Sequence, residues 1–323
     1  MMNGNGAAEH LVVIGDGAAA ERFARLGADA GWEVRRSHLY RSDGAPDGGA
    51  LSDGGDDAIE AATVVIVATT ASAHPALSIL LAGRLADDAL LLLAPGGTGG
   101  ALQFARRLRP GGAGPVIAEL SWLPPPVLAD DWTDPLPVAA IPFGAAPAVA
   151  DRLGALLPLT PAGSPLWTAL HSPDLALVAV PSIVGAASPD RRLDHLLSDA
   201  AIAVVEQLED ERAAVAAALG LAVPTTAAWL AGLQGMRLGP LRAVLGPLAD
   251  CSVAKDAMPD IVPYGLVPLR AVAAAVGVET PCIDALITLA GAMLRNDYAL
   301  GGRSAADMDL DTVLAQHRDQ RTS

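Results

Sequence analysis

A short apolar run near the start of the chain, Leu11-Val12-Val13-Ile14, breaks into Gly15-Asp16-Gly17. Ala20, Phe23, Ala24, Leu26, Gly27 and Ala30 then recur at helical spacing, and a second extended run covers 33–36. Strand, glycine turn, helix and strand in this order leave few folds open. The turn reads Gly15-x-Gly17-x-x-Ala20. Gly15 permits the tight turn, Gly17 lets the main chain approach a pyrophosphate, and the small Ala20 lets helix and strand pack closely. The helix start, from Ala18 onward, then offers free N–H groups to phosphates. The pattern predicts a dinucleotide-binding unit; the competing reading is a glycine turn that binds nothing.

The alternation continues. Strands are expected at 63–68, 89–93, 116–118 and 137–141, with helices at 74–85, from 101, and at 146–156. The third strand ends in Thr69-Thr70, the fourth in Pro95-Gly96-Gly97-Thr98-Gly99-Gly100, and the fifth at Glu119. This is the pattern of a Rossmann-type α/β unit, a doubly wound parallel sheet whose ligands sit at the carboxyl ends of the strands, so Thr69 and Thr70 are candidate cofactor contacts. The Gly-, Asp- and Ser-rich segment 44–57 reads as a surface loop. After the second strand the chain carries Arg35-Arg36-Ser37-His38 and Arg41, with no acid until Asp43. Arginines and a hydroxyl suit a ribose 2′-phosphate, whereas an acid would hold a free 2′-hydroxyl. NADP(H) is therefore expected, with NAD(H) as the alternative; alternation along the strand turns some of these arginines to solvent.

Pro158, Pro161, Gly163 and Pro165 mark a linker, which divides the chain into a cofactor domain at 1–160 and an all-α domain at 161–323. The longest helix is expected at 198–219, with Ile202, Val205, Leu208, Val215 and Leu219 on one stripe and Gly220 as its cap. Arg212 falls on the same stripe and needs a partner, for which Glu209 and Glu211 are near. Further helices are expected at 225–232, 268–276 and 282–295, and the polar tail 312–323 reads as frayed. The apolar helices make a homodimer the expected assembly.

Composition sets outer limits. Hydrophobic residues make up 52% and charged residues 18% of 323, enough apolar surface for a large core and too little charge for disorder. No run reaches the roughly 18 apolar residues of a membrane span. Residues 1–10 carry no Lys or Arg, so no export signal and a cytoplasmic location are expected. A net charge of -15 argues against nucleic acid. Cys251 and Cys282 are too few for a zinc cluster or a disulfide framework and read as two buried small hydrophobes, so no metal is expected. Lys255 is the only lysine among 21 basic residues, kept where arginine replaces lysine everywhere else. A role that arginine does not fill is one reading of it, chance survival on the surface the other.

The second half resembles the opine dehydrogenase family. The resemblance is carried by Leu208-Glu209-Asp210-Glu211-Arg212 with Ala217-Ala218-Leu219-Gly220, and by the run from Pro259-Asp260-Ile261-Val262-Pro263-Tyr264-Gly265 to Leu269. Gly277-Val278-Glu279-Thr280-Pro281, Ile283-Asp284-Ala285, Asp297-Tyr298 and Gly302-Arg303 add to it. In the first half, the glycine turn, Pro95-Gly96-Gly97 and Ala118-Glu119-Leu120-Ser121-Trp122-Leu123-Pro124 agree. The resemblance implies that an amino acid and a 2-oxo acid are condensed to an imine, which NAD(P)H reduces. It also implies a carboxylate clamp five residues before Asp260. That position is Lys255, where the family usually has arginine, and Asp260 would receive the amino group. The family's Asn-x-x-x-His pair has no counterpart: the histidine position falls at the apolar Val178 to Val180. His171, one or two turns earlier, is the candidate acid/base, with a solvent-exposed linker histidine as the other reading. This departure keeps two alternatives open, a reductase of a different imine or carbonyl substrate in specialised metabolism and a non-catalytic dinucleotide-binding protein.

Overall fold

The computed structural model describes residues 9–41, 49–52, 55–123 and 134–322. Asp43, half of the expected loop at 44–57, and Pro124 lie outside the described residues. Contacts divide the chain into two compact units, Met1–Thr168 and Ala169–Ser323.

The first unit contains β1 (His10–Ile14), α1 (Ala18–Asp29), β2 (Glu33–Ser37), β3 (Leu39–Arg41), β4 (Gly49–Leu51), α2 (Gly55–Glu60), β5 (Val64–Val67) and α3 (His74–Leu80). It continues with β6 (Leu90–Leu93), α4 (Gly100–Leu108), β7 (Val116–Leu120), β8 (Leu136–Ile141), α5 (Ala146–Leu153) and β9 (Leu159–Pro161); α6 (Pro165–His171) carries the chain into the second unit. Seven strands form one sheet in the order β2-β1-β5-β6-β7-β8-β9, parallel except for the β7–β8 pair. A parallel sheet is covered on both faces, which is why β1, β5 and β6 read as unbroken apolar runs. Leu11, Val13, Val64 and Ile66 pack with Phe23, Val149 and Leu153 on one face. Val12, Ile14, Val65 and Val67 pack with Ile59, Leu77, Leu81 and Phe104 on the other. Under the amino ends of the strands, buried Glu9 accepts two bonds from Arg152, each 2.9 Å, and tethers α5 to the start of β1.

Two expectations change. Part of the segment read as a loop is ordered: β4 pairs antiparallel with β3, and α2 follows. The proline-rich segment at 158–165 contains β9, the last strand of the sheet, because Leu159 to Pro161 register with Leu136 to Val138.

In the second unit every helix and strand described is helical: α7 (Val180–Val184), α8 (Leu193–Leu196), α9 (Asp199–Leu219), α10 (Thr226–Leu233), α11 (Met258–Ile261), α12 (Val267–Ala275), α13 (Pro281–Leu294), α14 (Tyr298–Gly301) and α15 (Leu310–Thr322). Two π-helical turns, Leu175–Ala179 and Val262–Leu266, lead directly into α7 and α12. Ser198 caps α9, its hydroxyl accepting from the Ala201 N–H. The tail is not frayed. Leu310, Val313, Leu314 and His317 form a buried stripe at helical spacing, and the His317 Nε2 lies 2.9 Å from the Leu219 carbonyl. Cys251 and Cys282 are half-buried rather than buried. No described helix is long and apolar enough to cross a membrane.

Candidate active site

Strand order reverses between β1 and β5, and the carboxyl ends of these two strands meet at Gly15. Gly15 has φ +151°, and a Cβ on it would lie 2.3 Å from the Ala68 carbonyl oxygen and 3.1 Å from the Ala20 Cβ. The turn can only be glycine, and Ala20 is the small residue against it. Gly17 caps α1 without a side-chain hydrogen bond, and a Cβ there would meet nothing within 4 Å. The main chain of Gly17 and Ala18 is thus open to an approaching group, and the first N–H groups of a twelve-residue helix point to it. An anionic phosphate fits this cradle on charge and on space. On the neighbouring strand end, Thr69 is half-buried and Thr70 exposed. The Thr70 hydroxyl pairs with that of Ser72 at 2.9 Å.

At the edge strand β2, Arg35 and Arg36 are exposed and Ser37 is buried. Arg36 stands 4.0 Å from Glu21 of α1. The Ser37 hydroxyl donates to the Ser52 carbonyl at 3.2 Å, so it ties β2 to the end of the β3–β4 hairpin. Arg41 lies in β3, with its side chain outside the described residues.

Glu119 went unassigned in the sequence. It is fully buried in β7; its Oε2 accepts the Ala101 N–H of α4 at 2.7 Å and its Oε1 the Thr168 hydroxyl. A Cβ on Gly96 would lie 2.3 Å from that carboxylate, which explains the glycine that opens the turn after β6. An acid inside an otherwise apolar strand was the signal for it.

In the second unit, three polar side chains of α9 hold three other helices. Glu209 is ion-paired with Arg212 and accepts the N–H and hydroxyl of Thr226, at 3.2 and 2.9 Å, at the start of α10. Arg212 also donates to the Leu170 carbonyl at 2.6 Å and the Pro224 carbonyl at 2.9 Å. Glu211 takes a different partner, accepting the Cys282 and Ile283 N–H groups at 2.6 and 3.0 Å at the start of α13. Of the two acids expected to serve Arg212, only Glu209 does.

This clasp sets the surroundings of His171. The ring is buried at the end of α6, 3% exposed, and meets Trp229 of α10 edge-on at 4.8 Å. Burial, with the Arg212 charge as the second cause, lowers its pKa to about 3. The solvent-exposed linker histidine is therefore excluded, and the imidazole is neutral at physiological pH. Lys255 is exposed, in the turn before α11, with no hydrogen bond or ion pair to a described residue. Asp260 follows in the first turn of α11 and is half-buried. Lys255 and Asp260 thus share one short stretch, while His171 stands at the end of a different helix. Just beyond, Arg303 is buried with its guanidinium 5.4 Å from the Tyr264 ring centre, and the Arg303 main-chain N–H donates to the Pro263 carbonyl at 2.9 Å. Two motifs forty residues apart are one contact around the π-helical turn. Burial pushes the Tyr264 phenol up. No cluster of three or more metal-ligating side chains is found among the described residues.

Comparison with known proteins places these features in context. No family model matches the chain. The opine dehydrogenase of Arthrobacter sp. (strain 1C) is 26% identical over 283 residues, 80% of this chain and 78% of that protein. The chain is a relative of the opine dehydrogenases. Solved structures of octopine dehydrogenase share its fold. The complex with NADH and L-arginine has a TM-score of 0.71 at 19% identity, covering 93% of this chain and 94% of that one. The complex with NADH and agmatine has a TM-score of 0.73 at 18% identity, covering 95% and 98%. A PanE/ApbA family ketopantoate reductase from Ralstonia eutropha JMP134 matches at a TM-score of 0.60 and 17% identity, covering 88% and 98%.

Proposed function

We propose that this opine dehydrogenase relative, an NAD(P)-dependent oxidoreductase, uses NADPH to join the amine of an amino acid to a 2-oxo acid by reducing the imine between them. The observation that carries the reading is the glycine cradle at the β1–β5 reversal, in a chain that aligns over 80% of its length with an opine dehydrogenase.

Gly15, Gly17, Ala18 and Ala20 form the cradle for the pyrophosphate, with Thr69 and Thr70 beside it. Arg35 and Arg36, with Arg41 nearby, supply positive charge for a ribose 2′-phosphate, and no acid in β2 beyond Glu33 competes for a 2′-hydroxyl. The bound dinucleotide supplies a hydride. The remaining work falls to side chains. Lys255, exposed and cationic, holds a substrate carboxylate as a point charge rather than as the fork an arginine offers. Asp260 accepts hydrogen bonds from the substrate amine and, as a carboxylate, removes the proton that the amine must lose to attack a carbonyl carbon. His171 is not an imidazolium at neutral pH and enters only as a neutral hydrogen-bonding group.

A second reading, a reductase of a preformed imine or another carbonyl compound, rests on one observation. The stretch Leu175 to Val180, where the family histidine is expected, is apolar and buried apart from the half-buried Val178. Oxidation of NADPH and NADH across amino acids paired with 2-oxo acids, with preformed cyclic imines as a separate series, tests both. Turnover that needs amine and oxo acid together, faster with NADPH, is the expected result. Turnover with preformed imines alone transfers the assignment to the second reading. No turnover in any pairing, with NADPH still bound, leaves a dinucleotide-binding protein without this chemistry.

A further inference from the structure

The stretch that carries Lys255 and Asp260 runs into a turn that is held from far along the chain. The Val267 N–H reaches five residues back to the Val262 carbonyl, which makes Val262–Leu266 a π-helical turn. The next donor along this ladder would be Pro268, which has no N–H. The Pro263 carbonyl takes the main-chain N–H of Arg303 instead, at 2.9 Å. A Cβ on Gly302 would lie 2.6 Å from the same carbonyl oxygen and 2.8 Å from the Val267 Cγ1, so 302–303 lies against the turn only with glycine at 302. The Arg303 side chain, 1% exposed, then sets its guanidinium over the Tyr264 ring, 5.4 Å from the ring centre. A cation at that distance holds the ring by its face.

The group held in this way is a phenol with nothing to bond. Tyr264 is half-buried, and its hydroxyl makes no hydrogen bond to a described residue. It follows Asp260 by four residues, which sets the two on one side of the turn. Burial raises the pKa of the phenol; the Arg303 charge opposes that rise, and the charges of Asp260 and Asp307 add to it. At neutral pH the phenol is therefore an O–H donor, near a carboxylate that accepts protons.

The condensation proposed above, on which this inference rests, lacks such a donor. Asp260 takes one proton from the substrate ammonium, and the amine then adds to the carbonyl carbon. The oxygen on that carbon must leave as water, and for this it needs a proton delivered to it. His171 is not an imidazolium at neutral pH, and Lys255 is committed to a carboxylate. We propose that Tyr264 is the catalytic acid of this step and gives its phenolic proton to the departing oxygen. The C–O bond breaks and its electron pair leaves with the water, while the nitrogen lone pair forms the C=N bond. Arg303 favours the phenolate while it lasts, and the phenolate regains a proton from Asp260. Of the three ammonium protons, one passes directly to the oxygen, one reaches it through Asp260 and Tyr264, and one stays on nitrogen. The hydride goes to carbon.

Tyr264→Phe keeps the ring against Arg303 and removes only the oxygen. Turnover of an amino acid with a 2-oxo acid is expected to fall at least about 100-fold, the usual worth of a positioned acid. Reduction of a preformed cyclic imine, which has no oxygen to expel, is expected to stay within about fivefold of wild type. The melting temperature, and NADPH affinity by cofactor fluorescence, are expected to be unchanged. A Tyr264→Phe enzyme that condenses the pair as fast as wild type overturns the proposal and leaves the condensation standing. Equal losses with the pair and with the preformed imine overturn it as well, because the hydroxyl then serves the reduction. A wild type that condenses no pair, whether or not it reduces preformed imines, removes the condensation itself and the proposal with it.

Discussion

The proposed cofactor cradle in 9–168 is built of main chain, whereas His171 in 169–322 is a side chain set in place by other side chains. At the cradle, the identity of Gly15 follows from a carbonyl 2.3 Å from where its Cβ would be, and the N–H groups open to a phosphate are those at the start of α1. In the helical unit, His171 takes its place from an Arg212–Glu209 clasp that joins α6, α9 and α10 across forty residues of sequence. A site made of backbone leaves a local mark, because only glycine and small residues fit it. A site made of side chains is specified by partners far away in the chain. Four variants sharpen or break this contrast.

The largest effect is expected at the clasp. Arg212→Met leaves Glu209 buried without its cation, and such losses cost about 3–5 kcal/mol. Urea unfolding should show that loss, and a variant within 1 kcal/mol of wild type would remove the clasp from the account. Gly15→Val is next. The Cβ clash opens the turn and should weaken NADPH binding about 100-fold, equivalent to about 2.7 kcal/mol. Titration by cofactor fluorescence reads it directly, and normal binding would mean that the cradle holds no phosphate.

His171 gives a pH dependence with a definite sign. Its pKa falls from 6.5 to about 3 on folding, so below pH 6.5 the unfolded chain binds the proton and the folded chain does not. Stability contributed by the neutral ring is therefore lost as pH falls from 6.5 toward 3. Between pH 6.5 and 5 the loss amounts to about 2 kcal/mol, at about 1.4 kcal/mol per unit. His171→Phe should flatten that part of the curve; an unaltered slope would place the ring in solvent. The smallest effect belongs to the exposed edge of β2. Arg35→Ala/Arg36→Ala should weaken NADPH about tenfold and leave NADH unchanged, the loss of roughly one charge-assisted contact. Equal losses for both cofactors would argue against a 2′-phosphate at this edge.

How far the sequence could be read follows the same division. Unbroken apolar runs placed β1, β5 and β6 to within a residue, since a strand covered on both faces has no polar positions to blur its limits. The hairpin β3–β4 was lost in a Gly- and Asp-rich segment because three-residue strands carry too little pattern to stand out. The tail misled by its composition. In 312–323 nine polar residues stand against Val313, Leu314 and Ala315, yet Leu310, Val313, Leu314 and His317 keep the spacing of a buried helical stripe. In the clasp, Arg212 announced a partner by sitting on a core face, but Glu209 and Glu211 look alike until their targets at Thr226 and Cys282 are folded beside them. The burial of His171 was invisible, because Trp229, the aromatic ring against it, lies fifty-eight residues away.

The account rests on a division of labour, with the dinucleotide held by the N-terminal cradle and the substrate handled by Lys255 and Asp260. The most direct test measures NADPH affinity and turnover together for Lys255→Met. Affinity within about twofold of wild type, with turnover reduced at least about 100-fold, is the predicted result. Turnover that survives the substitution, or NADPH binding that falls with it, would contradict the assignment.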